Sequence, residues 1–400
     1  MLQANAIKRP MHKAIRYSVM DNFIFLLFSL YFILSPFYFW SSGLPQVADF
    51  IIIFLVFVYA IKKQFRFGIP TESRQFLLTG LFFVGYVLAA NLTWMMILNG
   101  SISFIRTSAF YIYNFLVAVM VVGLYSEYKE KIIEVTYKAT LVSVLIQAAL
   151  FIAGGGYTGG RMTGGFNNPN QLGYYAIMVA SIMIFASSRI RIKAGWFVLG
   201  IFSAALLVLA SLSSTAIVSF AGLVIFFLVS KLPNKKFKRN VNLIIIALFL
   251  VMTFIYQNML ITLDSPIIRG LQNRVMASEG KLTSFSFERG YYRIIEYPEY
   301  WILGAGEGAN VERFRASGEF HSTLGNIQVS YGIIGLVLFL RYMYLALKKD
   351  GFQSWYIIAF ILAYGLTHNG IRNSMLWILI ALIVSSPPRL FVRVNSRPLP

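Results

Sequence analysis

The chain has 400 residues, of which 58% are hydrophobic and only 12% are charged. That balance excludes an ordinary soluble domain, where charged residues make up about a quarter of the chain. The absence of cysteine excludes disulfides, thiol catalysis and Cys-ligated metal, and the net charge of +20 does not point to nucleic acid, because the basic residues are scattered between apolar runs.

Those apolar runs are about 16 to 22 residues long, close to the roughly 20 that a helix needs to cross hydrocarbon. A closed β-barrel would alternate in shorter segments, so the chain is predicted to be an all-α polytopic membrane protein. Twelve spans are predicted, at 22–40, 46–61, 76–94, 108–124, 136–153, 171–187, 195–211, 214–230, 242–260, 326–345, 354–368 and 374–387. Together they make residues 1–400 one integral membrane domain. The first run follows Lys8, Arg9, Lys13 and Arg16, as a signal peptide would. It closes on the aromatic edge Ser35–Pro36–Phe37–Tyr38–Phe39–Trp40 and not on a small-residue cleavage site, so it reads as an uncleaved span. Spans seven and eight are separated only by Ser211–Leu212–Ser213–Ser214–Thr215. Fusing them would turn the basic Lys231 to Arg239 segment and Arg389, Arg393 and Arg397 outward, against the positive-inside rule, so two spans are expected.

With the N-terminus in the cytoplasm, the basic pairs Lys62–Lys63, Lys129 with Lys131, Arg189 with Arg191, and Lys348–Lys349 all face inward. The expectation is a polytopic inner-membrane protein with both termini cytoplasmic. Ten basic residues fall on the outer face: Arg106, Arg161, Arg269, Arg274, Lys281, Arg289, Arg293, Arg313, Arg315 and Arg372. Nearly exclusive use of the planar guanidinium on that side suits bidentate recognition of phosphate or carboxylate. Pairing with nearby glutamates, or anchoring at lipid headgroups, would equally account for any single one.

Two outer segments carry polar clusters. Segment 159–173 contains Arg161, Asn168 and Asn170 at the start of span six, where asparagine caps a helix and backbone amides attract anions. Segment 261–325 is the larger periplasmic loop, between spans nine and ten, and long ordered loops are often functional. It contains Arg289 and Arg293, and then Leu303–Gly304–Ala305–Gly306–Glu307–Gly308. No α/β pattern precedes these glycines, so a nucleotide loop is not expected; Gly304 and Gly306 instead let the backbone turn sharply and approach a substrate. The chain has three histidines: His12 in the cytoplasmic tail, His321 at the entrance to span ten and His368 at the outer end of span eleven. Histidine is suited to proton transfer near neutral pH, and a structural interfacial role is the alternative for both outer ones.

In this order, these pieces resemble the bacterial surface-polysaccharide superfamily of Wzy-type O-antigen polymerases and WaaL-type O-antigen ligases. The resemblance rests on Arg161 to Leu172, the serine-rich turn Ser211 to Thr215, and Arg289 ahead of Leu303–Gly304–Ala305–Gly306. It continues through His321 to Asn326 and Tyr331–Gly332–Ile333–Ile334–Gly335. The family's His-Asn dipeptide occurs here as His368–Asn369, so both histidines stay candidates for the family's base.

The resemblance implies a GT-C-like glycosyltransferase whose active site faces the periplasm and needs no metal or other cofactor. Its donor would be an oligosaccharide on undecaprenyl diphosphate and its partner a saccharide acceptor, with a flippase and a chain-length regulator as associated proteins. His321, Arg289 and Arg161 would be catalytic. Arg293, Arg269, Asn168, Asn170, Gly304, Gly306 and His368 would bind substrate. Polymerase is favoured over ligase from the Phe166 to Asn170 sequence and the modest outer loop. A lipid-linked sugar transporter is the reading from another class, disfavoured because no internal repeat is evident.

Overall fold

A computed structural model describes residues 17–98, 100–158, 160–232, 289–308, 310–314 and 320–386. The predicted ninth span at 242–260 and Arg269, Arg274, Lys281 and Arg315 lie outside the described residues. Among those described, eleven helices have ten or more residues. They are α1 (Val19–Leu34), α2 (Val47–Lys62), α3 (Thr71–Ile97), α4 (Ile102–Tyr128), α5 (Glu130–Ile152), α6 (Pro169–Arg189), α7 (Ala194–Ala210), α8 (Ser214–Ser230), α11 (Thr323–Lys349), α12 (Trp355–Tyr364) and α13 (Ser374–Ser385). Two single-turn helices, α9 (Tyr292–Glu296) and α10 (Asn310–Phe314), lie between α8 and α11.

Five of these helices, α3, α4, α5, α6 and α11, are long and apolar enough to cross a membrane. The fold is therefore that of a helical protein suited to embedding in a membrane. The unbroken 27-residue helices α3 and α4 are each about 40 Å long at 1.5 Å per residue, more than the roughly 30 Å of a hydrocarbon core. α12 is shorter than predicted: it stops at Tyr364, and residues 365–373 form a loop.

Local sequence explains the helix starts. Ser18 and Asp21 form a reciprocal capping box on α1, with Asp21 N–H to Ser18 Oγ at 3.1 Å and Ser18 N–H to Asp21 Oδ2 at 2.9 Å. Asn168 caps α6 by accepting the Asn170 N–H at 2.8 Å, with Pro169 at the first helical position. α6 is the most buried of the five long helices and packs against α5, α7, α8 and α12. Small residues permit this: a Cβ on Gly173 would sit 2.9 Å from the Ala216 methyl of α8.

The two ends of the bundle differ. At one end Lys62 at the close of α2 donates to Asp21 of α1 at 2.5 Å and to Glu127 of α4 at 2.6 Å, and Arg189 closing α6 pairs with the fully buried Asp350 after α11. The other end gathers the α1–α2 loop, the start of α6, the start of α11 and the α12–α13 loop around a cavity. Helices α7 and α8 are separate traverses between these ends. The turn between them, with Leu212 at φ 48°, is held at the cavity end by Arg161, and Phe226 near the far end of α8 packs on Trp355 at the start of α12.

Helix α11 is broken at Gly332, with φ 62° and ψ −168°. The break exposes backbone groups, and the segment before α10 fills them: Ala305 N–H donates to Val329 O at 2.9 Å, Gly306 N–H to Ser330 O at 2.7 Å, and Ile333 N–H to Trp301 O at 2.7 Å. Gly304 and Gly306 are needed for this approach. A Cβ on Gly304 would lie 2.4 Å from the Ser330 carbonyl, and one on Gly306 3.0 Å from the Trp94 ring. The close approach that the structure shows at these glycines is to α11 and to α3.

Candidate functional site

The cavity at this end has a volume of about 570 Å³. It collects residues far apart in the chain: Arg289, His321, His368, Asn168 and Asn170 from the candidate set, with Tyr31, Gln46, Asp49, Gln171 and Arg372. Arg161, Arg293, Gly304 and Gly306 do not line it.

Arg289 lies three residues before the start of α9. Its Nη1 donates to the Thr367 carbonyl at 2.9 Å, and its buried Nε has no hydrogen-bond partner among the described residues. The Arg289 carbonyl accepts the His321 N–H at 3.2 Å, which ties the approach to α11 to the arginine segment. His321 is exposed on the cavity rim. Directly after it, Ser322 caps α11 by accepting the Gly325 N–H at 3.1 Å. Thr323 anchors the neighbouring loop: its N–H donates to Gly365 O at 2.6 Å and its hydroxyl to His368 O at 3.1 Å.

His368 is held from two sides. Its ring stacks on Tyr364, with centroids 4.6 Å apart, and its Nδ1 lies 2.8 Å from Thr367 Oγ1. That hydroxyl also reaches Thr215 Oγ1 at 3.0 Å and Tyr364 O at 3.3 Å. The buried Nε2 has no hydrogen-bond partner among the described residues. Burial, then the positive charges of Arg289, His321 and Arg161, push the His368 pKa down to about 3. The ring is therefore neutral at ordinary pH.

Arg161 stands one layer behind the cavity. Residues Tyr157–Thr158 (β1) and Arg161–Met162 (β2) form a short antiparallel hairpin that fixes it, an element absent from the sequence reading. Its Nη2 donates to Asn170 Oδ1 at 3.0 Å and its Nε to the Ser211 carbonyl at 2.9 Å, so one guanidinium joins the start of α6 to the α7–α8 turn. Asn170, which does line the cavity, also has its carbonyl held by the Tyr364 hydroxyl at 2.6 Å.

Arg293 is placed elsewhere. It is 4% exposed, in cation–π contact with Tyr292 and Phe314, and belongs to a small aromatic cluster beside the cavity. Arg313 is likewise enclosed, with its guanidinium over Trp94 and Phe104.

The opposite wall was not anticipated. Gln46 in the α1–α2 loop accepts from Phe39 N–H at 2.9 Å and Trp40 N–H at 3.2 Å while donating to Leu44 O at 3.0 Å, so one side chain shapes the loop. Asp49, one turn later, accepts from Gln46 N–H at 2.8 Å and from the Tyr113 hydroxyl at 2.9 Å. Arg372 pairs at 2.5 Å with Glu307, a residue only 6% exposed that also accepts from the Tyr111 and Tyr331 hydroxyls at 2.9 and 3.1 Å. A repeated polar residue at a helix start, such as Gln46 with Asp49, was the available signal. Nothing local distinguishes it from a simple cap.

Among the described residues no three His, Asp or Glu side chains gather as a metal site would require. The chemistry on hand is guanidinium charge, two imidazoles, amides and a hydroxyl-rich aromatic wall. No protein-family model matches the chain, and comparison with curated proteins gives no match.

Proposed function

We propose that the chain is a glycosyltransferase of the bacterial inner membrane, polymerising oligosaccharide repeat units carried on undecaprenyl diphosphate during surface-polysaccharide synthesis. The observation that carries this reading is the convergence of Arg289, His321, His368 and the Arg161-held Asn170 at one cavity. In the same reading the protein has twelve spans in a GT-C-like arrangement, both termini are cytoplasmic, and the cavity faces the periplasm. The concentration of Lys62, Lys63, Lys348 and Lys349 at the opposite end supports that orientation.

Transfer joins an acceptor hydroxyl oxygen to the anomeric carbon as the bond from that carbon to the diphosphate oxygen breaks. Polyprenyl diphosphate leaves with the electron pair, and the configuration inverts. Arg289 supplies preorganised positive charge to the leaving diphosphate, the kind of electrostatic contribution that often dominates catalysis. His321 at the rim accepts the hydroxyl proton. His368, neutral and with its buried Nε2 unpartnered, orients a substrate hydroxyl by hydrogen bonding. Arg161 acts at one remove, by positioning Asn170 and the serine turn.

The test is polymer length in cells carrying Arg289→Ala or His321→Ala at matched expression. Short or absent polymer is expected, and wild-type polymer in both variants overturns the assignment. A ligase would share the chemistry and differ in acceptor. Deletion leaving single repeat units on the lipid core supports polymerase, whereas accumulation of free lipid-linked polymer supports ligase.

A further inference from the structure

The cavity is electrically lopsided. Among its described lining residues Asp49, Arg289 and Arg372 carry formal charge, and Arg372 is already neutralised by Glu307 at 2.5 Å. Arg289 is held by the α12–α13 loop at Thr367, while Asp49 is held at the start of α2 by Tyr113 of α4. Both partners of Asp49 are neutral donors, one to each carboxylate oxygen, which leaves accepting capacity on both. On the same wall Gln171 donates through Nε2 to Ser42 Oγ at 2.9 Å, and its buried Oε1 has no partner.

This wall thus presents hydrogen-bond acceptors beside aromatic rings. Tyr31, Tyr38 and Phe166 line it, with Tyr38 and Phe166 centroids 5.1 Å apart. A pyranose supplies the complement: several hydroxyl donors around a ring whose C–H face packs on aromatic surface. A carboxylate on that sugar would instead face the Asp49 charge and an amide oxygen, while the nearby Arg372 is already paired with Glu307.

We infer that the wall formed by Tyr31, Tyr38, Asp49 and Gln171 is a saccharide subsite that accepts an uncharged pyranose and rejects one bearing a carboxylate. This deepens, and rests on, the reading of the cavity as a glycosyl-transfer site. It assigns diphosphate recognition to the Arg289 wall and sugar selection to the Asp49 wall.

The test uses the full chain in lipid nanodiscs, titrated with three neutral disaccharides (N,N′-diacetylchitobiose, lactose and maltose) and with cellobiouronic acid. At least one neutral disaccharide is expected to bind about tenfold more tightly than the acidic one. Gln171→Ala should weaken neutral binding about fivefold, and Asp49→Asn should bring the acidic disaccharide to within about threefold of the neutral one. Unfolding temperatures of both variants check the fold, and Gln171→Ala serves if Asp49→Asn does not fold. Equal binding of acidic and neutral sugars by the wild type, no neutral binding, or neutral binding unchanged in Gln171→Ala overturns the subsite. Farnesyl diphosphate separates this outcome from failure of the functional reading. If it binds the wild type and not Arg289→Ala while sugars are not discriminated, only the subsite falls; if it does not bind, the transferase reading falls.

Discussion

The imidazole of His368 lies face to face with the ring of Tyr364, their planes 13° from parallel, while the Tyr364 hydroxyl donates to the Asn170 carbonyl at 2.6 Å. One tyrosine therefore sets both the tilt of the histidine and the position of the first turn of α6. Tyr364→Phe keeps the stack and loses the hydroxyl's hydrogen bonds to Asn170 and Ser213, with an expected cost of about 1–2 kcal/mol and shortened polymer. Tyr364→Ala also removes the ring, and the cost rises to about 3–5 kcal/mol. Thermal unfolding in detergent, read beside polymer length, checks both.

Burial of His368 gives a pH signature. Its pKa is depressed from 6.5 to about 3, so between those values the unfolded chain binds more protons than the folded one. The stabilising contribution is complete above about pH 6.5 and is lost as pH falls toward 3. At one pH unit below the unfolded value the loss is about 1.4 kcal/mol. The wild type should lose unfolding temperature between pH 7 and pH 5.5 by more than His368→Gln does. Parallel slopes would show that the imidazole is not held neutral.

Arg161 is expected to act through geometry more than through charge, since its Nε and Nη2 reach two different acceptors, Ser211 O and Asn170 Oδ1. Lysine preserves the charge but lacks the fork. Arg161→Lys should therefore lower polymerisation nearly as far as Arg161→Ala, about 10²-fold. Substantial activity in the lysine variant would indicate that charge alone is needed there.

The glycines where the Trp301 to Gly306 segment meets α11 are expected to matter as packing residues. A Cβ on Gly332 would lie 2.1 Å from the Ile302 carbonyl, at a φ of 62°. Gly332→Ala and Gly304→Ala should each cost about 2 kcal/mol or more and reduce the amount of folded protein. Gly43→Ala is the control: its φ is also positive, but nothing lies within 4 Å of the added methyl. Abundant, stable and inactive Gly304→Ala protein would restore a direct substrate role for the loop.

The Arg372–Glu307 pair should behave as a buried ion pair. Glu307→Gln removes the counter-charge and is expected to cost about 3–5 kcal/mol. Arg372→Gln combined with Glu307→Gln should recover part of it, measured as a coupling energy in a double-mutant cycle. Additive losses would mean that Glu307 matters only through Tyr111 and Tyr331.

Much of the helical layout was legible because membrane helices obey one-dimensional rules. Apolar length marks α3 to α6 and α11, and Asn168 with Pro169 marks the start of α6, since the groups involved are local. The separation of α7 from α8 was also readable, from the charge carried by distant loops. Residue type, the predicted outer face and the family resemblance selected Arg289, His321, His368 and Asn170, all of which line the cavity.

What the sequence by itself determined is thus a bundle of apolar helices and a short set of polar residues at their ends. Only the tertiary structure decided which of those residues face a common space. Arg161 stands behind Asn170, Arg293 and Arg313 turn into aromatic clusters, and Gly304 closes the break in α11, because these groups meet partners as far as 210 positions away. The Asp49 wall was hidden for the same reason. Its carboxylate reads as an ordinary helix cap until α4, α6 and α13 are packed around it, and packing is a long-range property that no local pattern of residues encodes.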